Sequence, residues 1–320
     1  MHRLARGAFG GRQSGPFRGG CGRAGDRLTP TGMSILPEIP APDGMCRPPT
    51  APSAPRPVRP VVAALRDIGA GLAMWRLALS LGWLDIRLRY RGSALGPFWL
   101  TLSSAVMIGA MGVIYGRLFH MDLRGYLPYL ALSMILWQVG VGAVLAEACT
   151  CFTDAERTIR SVRLPFFLQA MRLMVRNAIV FGHNIVVPLG VFLLFGIWHG
   201  AAMLLAAPGV ALWLVDGLAS ALLLGSICAR FRDIPPIVGS VVQVAFYVTP
   251  VMWSASQLKG RDWWFELNPF YPLLEVVRGP LLGQVPAPRI WAEAGVSSAL
   301  LCLVALYVFS RSRSQLAFWV

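Results

Sequence analysis

Six stretches between Leu95 and Ser310 run with almost no charge for roughly 18 to 27 residues, close to the ~20 an α-helix needs to cross about 30 Å of hydrocarbon. They cover about 95–118, 129–148, 177–197, 203–229, 234–253 and 293–310. Inside a bilayer no water can satisfy a free peptide group, so each stretch reads as a helix whose hydrogen bonds are made within itself. The expectation is an all-α polytopic membrane protein with six transmembrane helices. Composition agrees: 56% of the 320 residues are hydrophobic and only 14% charged, too apolar a balance for an ordinary soluble domain.

The charge that remains is strongly biased. The net charge is +14, and Lys259 is the only lysine, so nearly all of the excess is arginine. A basic chain can be a nucleic-acid binder or a membrane protein oriented by its cations. Here the arginines lie in an N-terminal tail and in short segments flanking the apolar stretches, which favours orientation and leaves no nucleic-acid partner to expect. With the N-terminus inside, the inner segments hold Arg87, Arg89 and Arg91, then Arg157, Arg160, Arg163, Arg172 and Arg176, then Arg230 and Arg232, then Arg311 and Arg313. The outer segments hold Arg124, Lys259, Arg261, Arg278 and Arg289, the last four spread over a long loop. The positive-inside rule therefore puts both termini in the cytoplasm. A seventh span over Trp263 to Gly283 would reverse Arg311 and Arg313, and that stretch is interrupted by Glu266, Asn268, Pro269, Pro272, Glu275, Arg278 and Pro280. Two short re-entrant helices in the outer leaflet fit it better.

Ahead of the spans, residues 1–60 are rich in Gly, Pro and Arg with little apolar periodicity, a composition expected to stay disordered. Residues 61–91 change character: Leu72, Trp75, Leu79, Trp83, Ile86 and Tyr90 recur at steps of three and four, with Arg76, Ser80, Arg87 and Arg91 off that line. This predicts an amphipathic helix lying in the cytoplasmic interface, in contact with membrane lipids, with a soluble helix packed on a partner as the alternative. Residues 92–320 form the six-span domain. Six cysteines and four histidines show no ligand spacing, so no metal site and no disulfide framework are expected, and Cys149 and Cys151 read as packing residues. No nucleophile, base and carboxylate set is visible, and no catalytic residue is assigned.

Four separated motifs and the C-terminal residues carry a resemblance. Asp85-Ile-Arg-Leu-Arg-Tyr-Arg-Gly-Ser-Ala-Leu-Gly-Pro-Phe-Trp99 resembles the entry to the first span of ABC-type polysaccharide export permeases, the membrane subunits that move O-antigen, capsule or teichoic-acid chains. Ile159-Arg-Ser-Val-Arg-Leu-Pro165 is similar to that family's inner loop before the third span, with arginine where the family usually has lysine. Arg230-Phe-Arg-Asp233 resembles its inner turn before the fifth, Glu266-Leu-Asn-Pro-Phe270 its outer motif before the last, and Ala317-Phe-Trp-Val320 endings common in the O-antigen branch. The resemblance covers about Leu65 to Val320 and leaves out the Pro/Arg tail.

The resemblance implies a homodimer in the bacterial inner membrane, paired with two copies of an ABC ATPase and exporting a lipid-linked polysaccharide, most often O-antigen. It implies that Thr153 to Arg163 forms a coupling helix seated on the ATPase, with Asp154, Glu156, Arg157, Arg160 and Arg163 at the contact. Arg87, Arg89 and Arg91 form a basic motif on the same inner face. An ordinary orientation loop is the simpler reading of these charges. No cofactor is expected on this chain: a phosphate-cradling loop needs Gly-Lys-Ser/Thr, and Lys259 follows Leu258. ATP and Mg belong to the partner.

A sugar polymer offers C–H faces and hydroxyls, so its path should present aromatic rings. Phe246, Tyr247, Phe270 and Tyr271 are the candidates, against the alternative of an interfacial aromatic belt. Asp216, His183 and Asn184 are polar groups within spans, where a structural hydrogen-bonding role competes with a proton relay. Three other functions stay open: an ABC permease for a capsule chain, teichoic acid or a drug; a secondary transporter, which would need internal repeats; and a membrane glycosyltransferase, which would need an acidic loop site.

Overall fold

The computed structural model describes residues 60–320 except 94, 95, 97, 119, 121, 199 and 254–267. The N-terminal tail, the turn at Leu95 and Pro97, Trp263, Trp264, the Glu266-Leu part of the outer motif and the first of the two re-entrant helices therefore lie outside the described residues.

Every regular element among the described residues is helical. The predicted amphipathic segment is two helices, α1 (Pro60–Ala73) and α2 (Trp75–Arg89), joined at Met74. The first span is α3 (Phe98–Leu118). The second is continuous from Leu123 to Thr150 and is built of α4 (Leu123–Ile135), a π-helical stretch (Leu136–Gly142) and α5 (Ala143–Thr150). A six-residue helix α6 (Glu156–Ser161) follows. The third span joins α7 (Phe166–Asn184) to α8 (Val186–Phe195) through Ile185. The fourth enters through a 3-10 turn (Gly200–Leu205) into α9 (Ala206–Arg230). Then come α10 (Ile234–Val248), α11 (Phe270–Leu281) and α12 (Pro288–Trp319).

Among the described residues, five helical segments are long and apolar enough to cross a membrane: Phe98–Leu118, Leu123–Thr150, Phe166–Phe195, Gly200–Arg230 and Pro288–Trp319. The sixth expected span is the exception. It was read to Trp253, but α10 stops at Val248, which at 1.5 Å per residue is about 22 Å of helix. Three groups hold the chain in that early turn. Tyr126 Oη donates to the carbonyl of Met252 (2.8 Å), and Tyr129 Oη donates toward the carbonyls of Pro250 (2.8 Å) and Trp253 (2.9 Å). Arg278 of α11 reaches the Pro250 carbonyl as well.

Glu275 and Arg278, read from the sequence as interruptions of an apolar stretch that forms short helices, lie within α11. They pair with each other inside the molecule, and Arg278 is 3% exposed. Its guanidinium also donates to Tyr129 Oη (2.8 Å) and Ser133 Oγ (3.2 Å) and lies over the Tyr129 ring at 4.7 Å. Polar residues three apart face the same side of a helix, so charges that interrupt an apolar run here satisfy one another in the core.

A second correction concerns the third span, whose start was put at Asn177. α7 begins at Phe166, so Arg172 and Arg176 are helical residues. The core has two centres. One gathers Tyr126, Leu130, Trp137, Val251, Leu274 and Val277 around the α11 end of the spans. The other gathers Ala64, Phe152, Phe167, Leu173, Leu222, Phe309 and Leu316 around the end bearing α6.

Candidate functional site

The arginine-rich end is built by α1 and α2 lying on α7 through small residues. A Cβ on Gly71 would stand 2.9 Å from Phe167 Cδ1, and one on Gly82 would stand 2.7 Å from Val175 Cγ1 and 3.0 Å from the Arg172 carbonyl. The large residues of the expected face, Leu72, Trp75, Leu79 and Trp83, point away and are exposed, whereas Ile86 turns inward and is buried. Backbone contact is possible only where a side chain is missing, which is why the glycines and alanines, and not the tryptophans, meet the bundle.

Charge then ties the elements together. Arg172 clamps the Asp85 carboxylate with two hydrogen bonds, at 2.7 and 2.5 Å, joining α7 to α2. Glu147, in the last turns of the second span, accepts from Arg176 (2.7 Å), Asn177 Nδ2 (2.7 Å) and Arg89 (3.1 Å), so α5, α7 and α2 meet on one carboxylate. Asp67 is buried. One of its oxygens accepts the Phe167 amide (3.0 Å), capping the start of α7, and the other pairs with Arg313 of α12 (3.0 Å). Of these acids only Asp85 stood in a sequence motif; Asp67 and Glu147 were missed. The available signal was Glu147 itself, an acidic residue inside the last turn of a span, which must find a cation.

On this base sits α6. Phe152, fully buried, and Ala155 anchor the loop, and Ile159 packs on the same cluster. The five residues expected at the coupling contact, Asp154, Glu156, Arg157, Arg160 and Arg163, are all exposed. Glu156 and Arg160 pair across one turn (3.0 Å), Asp154 accepts from Thr150 Oγ1 (2.8 Å), and Arg160 donates to the backbone oxygen of Val320 (2.8 Å). The short helix is thereby linked to α12. Arg87 and Arg91 are exposed, while Arg89 pairs with Glu147. Cys151 is buried in the loop; loss of solvent pushes its thiol up to about 12, so it stays neutral and packs.

Of the aromatic candidates, Phe246 and Phe270 meet on Trp137. Phe246 lies 6.1 Å from Trp137 and 5.2 Å from Tyr247, and Phe270 lies 5.4 Å from Trp137 edge to face. Trp137 is buried, Phe246, Phe270 and Tyr271 are half-buried, and Tyr247 is 62% exposed. Two clefts flank α10: one of about 540 Å³ toward Asn268 and Phe270, and one of about 320 Å³ toward Trp137 and the π-helical stretch. Among the described residues no group of His, Cys, Asp and Glu could hold a metal ion.

The polar groups within spans have local partners. His183 Nδ1 meets the Ile179 carbonyl at 2.8 Å, and Asn184 Nδ2 donates to the Val180 carbonyl at 2.9 Å. Asp216 accepts from Ser298 Oγ (2.8 Å), which ties α9 to α12 and leaves its other oxygen without a partner.

Comparison with known proteins now bears on this arrangement. No protein-family model matches the chain. The chain is 25% identical over 250 residues to the O-antigen export system permease protein RfbA of Myxococcus xanthus, covering 75% of this chain and 94% of that protein. The likeness to ABC-type polysaccharide export permeases is therefore shown. The permease resemblance agrees with the helical membrane fold.

Proposed function

We propose that this chain is the membrane subunit of an ABC exporter that moves a lipid-linked polysaccharide, O-antigen foremost, across the bacterial inner membrane. In this reading two copies form the passage and two copies of a separate ATPase supply ATP and Mg. The end bearing Arg87, Arg91, Arg157, Arg160 and Arg163 faces the cytoplasm, as the positive-inside rule expects.

The observation that carries the reading is the exposed six-residue α6 on its braced base. A transmitter of motion must be stiff behind and free in front. Phe152, Ala155 and the bond from Arg160 to Val320 supply the stiffness, and the exposed Arg157 and Arg163 are available to meet a partner. A docked ATPase that displaced α6 would push on α5 and α7 through Glu147 and Arg176, and on α12 through Val320. The similarity to an O-antigen export permease supports the substrate class. α10 supports the dimer: it buries no residue of its own, as expected of a helix that completes its environment with a second copy or a passage.

The deciding experiment is co-purification with a soluble ATPase and reconstitution of ATP-dependent polymer export. A chain that purifies alone and transports without any ATPase would refute the proposal.

A further inference from the structure

The π-helical stretch Leu136–Gly142 stands opposite α10, across the cleft of about 320 Å³. Such stretches widen a helix and re-aim its side chains, and they recur at functional sites. Here the stretch turns Gln138 into the cleft, where Gln243 of α10 also lines it. Gln138 is about 22 Å along its span from Leu123, and Gln243 is about 14 Å into the apolar helix α10 from Ile234, so both amides lie within apolar helix and away from its start. Neither hydrogen-bonds to another described residue. An amide facing hydrocarbon without a partner costs several kcal/mol, so the cleft is built to hold something polar.

The other cleft beside α10 shows the contrast. It is walled by Val241, Val244 and Val248, and its amide, Asn268, is already engaged with Thr249 Oγ1 (2.9 Å) and the Phe270 N–H (3.0 Å). Only the Gln138 side combines unengaged donors and acceptors with an aromatic wall. Phe246 supplies that wall, and the buried Trp137 closes its floor.

We infer that this cleft is a saccharide-contact site. Gln138 and Gln243 exchange hydrogen bonds with sugar hydroxyls while Phe246 lies against a C–H face. A pyranose presents both surfaces at once; water would satisfy the amides alone, and a lipid chain only the ring. Gly142 and Gly239 leave room for the sugar to approach the backbone on both sides. The inference rests on the polysaccharide-permease reading and adds to it which residues meet the polymer.

The test uses the full chain with its ATPase partner in cells. Gln243→Cys is treated with a polar maleimide, with the parent chain labelled in parallel, in cells that make the lipid-linked polymer and in cells blocked at its initiation. Labelling above the parent level is expected in the blocked cells, with protection when polymer is made. No labelling in either strain would show the cleft closed by a second copy or by lipid, and equal labelling in both would show that polymer does not reach it; either result overturns the inference. Gln138→Leu with Gln243→Leu should lower surface polymer by about tenfold, the effect of one or two lost neutral hydrogen bonds, with undiminished yield of the complex. Undiminished export would refute the site, as would loss of the dimer. Deleting the parent chain separates the two claims: surface polymer that persists without it removes the permease reading and the site together.

Discussion

Arg278→Met is the sharpest probe of how the α11 end of the molecule is held. The guanidinium is 3% exposed and serves four partners: the Glu275 carboxylate, Tyr129 Oη, Ser133 Oγ and the Pro250 carbonyl. Removing it leaves a carboxylate with 13% side-chain exposure and no counter-ion. Breaking one side of a buried pair costs on the order of 3–5 kcal/mol. At about 2 °C per kcal/mol for a body of this size, the melting temperature should fall by roughly 6–10 °C. Glu275→Leu should cost a similar amount, because the cation then stays buried without its anion. The double substitution Glu275→Leu/Arg278→Met should lie much nearer the parent, within about 2 kcal/mol, since no unpaired charge remains and Tyr129 still donates toward Pro250 and Trp253. Thermal unfolding of the four purified proteins in detergent closes the cycle. Two results would refute the reasoning: a single Arg278→Met within about 1 kcal/mol of the parent, or a double variant as damaged as the two singles added together.

The other predictions are quicker to state. Gly82→Ala forces a methyl to within 2.7 Å of Val175 and should cost about 1–3 kcal/mol, whereas Gly69→Ala, with nothing within 4 Å, should be neutral or stabilising; equal melting temperatures for the two would remove the close α2–α7 approach. Arg157→Glu reverses an exposed charge, so stability should move by no more than about 0.5 kcal/mol while ATP-coupled export falls; unchanged export would count against α6 as the docking element. Cys151, whose thiol titrates at about 12, is under about 0.1% thiolate at pH 8 and should resist maleimide until the protein is unfolded; rapid labelling of the native protein, read by peptide mass, would contradict its burial.

Much of the fold was legible because a bilayer leaves a helix few alternatives. Apolar length marked the long spans, and arginine spacing marked one end of them, since both depend on transfer from water and need no tertiary contact. The aromatic face Leu72, Trp75, Leu79 and Trp83 was equally readable, because periodicity is a property of one helix. Asp154, Glu156, Arg157, Arg160 and Arg163 were named through their motif, and the fold leaves all five exposed. Where α10 stops was not legible: its apolar run continues to Trp253, and the turn after Val248 is held by Tyr126, Tyr129 and Arg278 from distant parts of the chain.

The same division separates the charges. Sequence alone determined that the arginines cluster by side, because that distribution is set one segment at a time. Only the tertiary structure decided which of them are spent on the protein itself. Arg172 and Arg176 look like loop cations beside Arg157 and Arg163, yet they are bound to Asp85 and Glu147, 87 and 29 residues away. Charge in a bilayer-facing protein must be neutralised by whatever packing brings near it, and what packing brings near is a property of the fold.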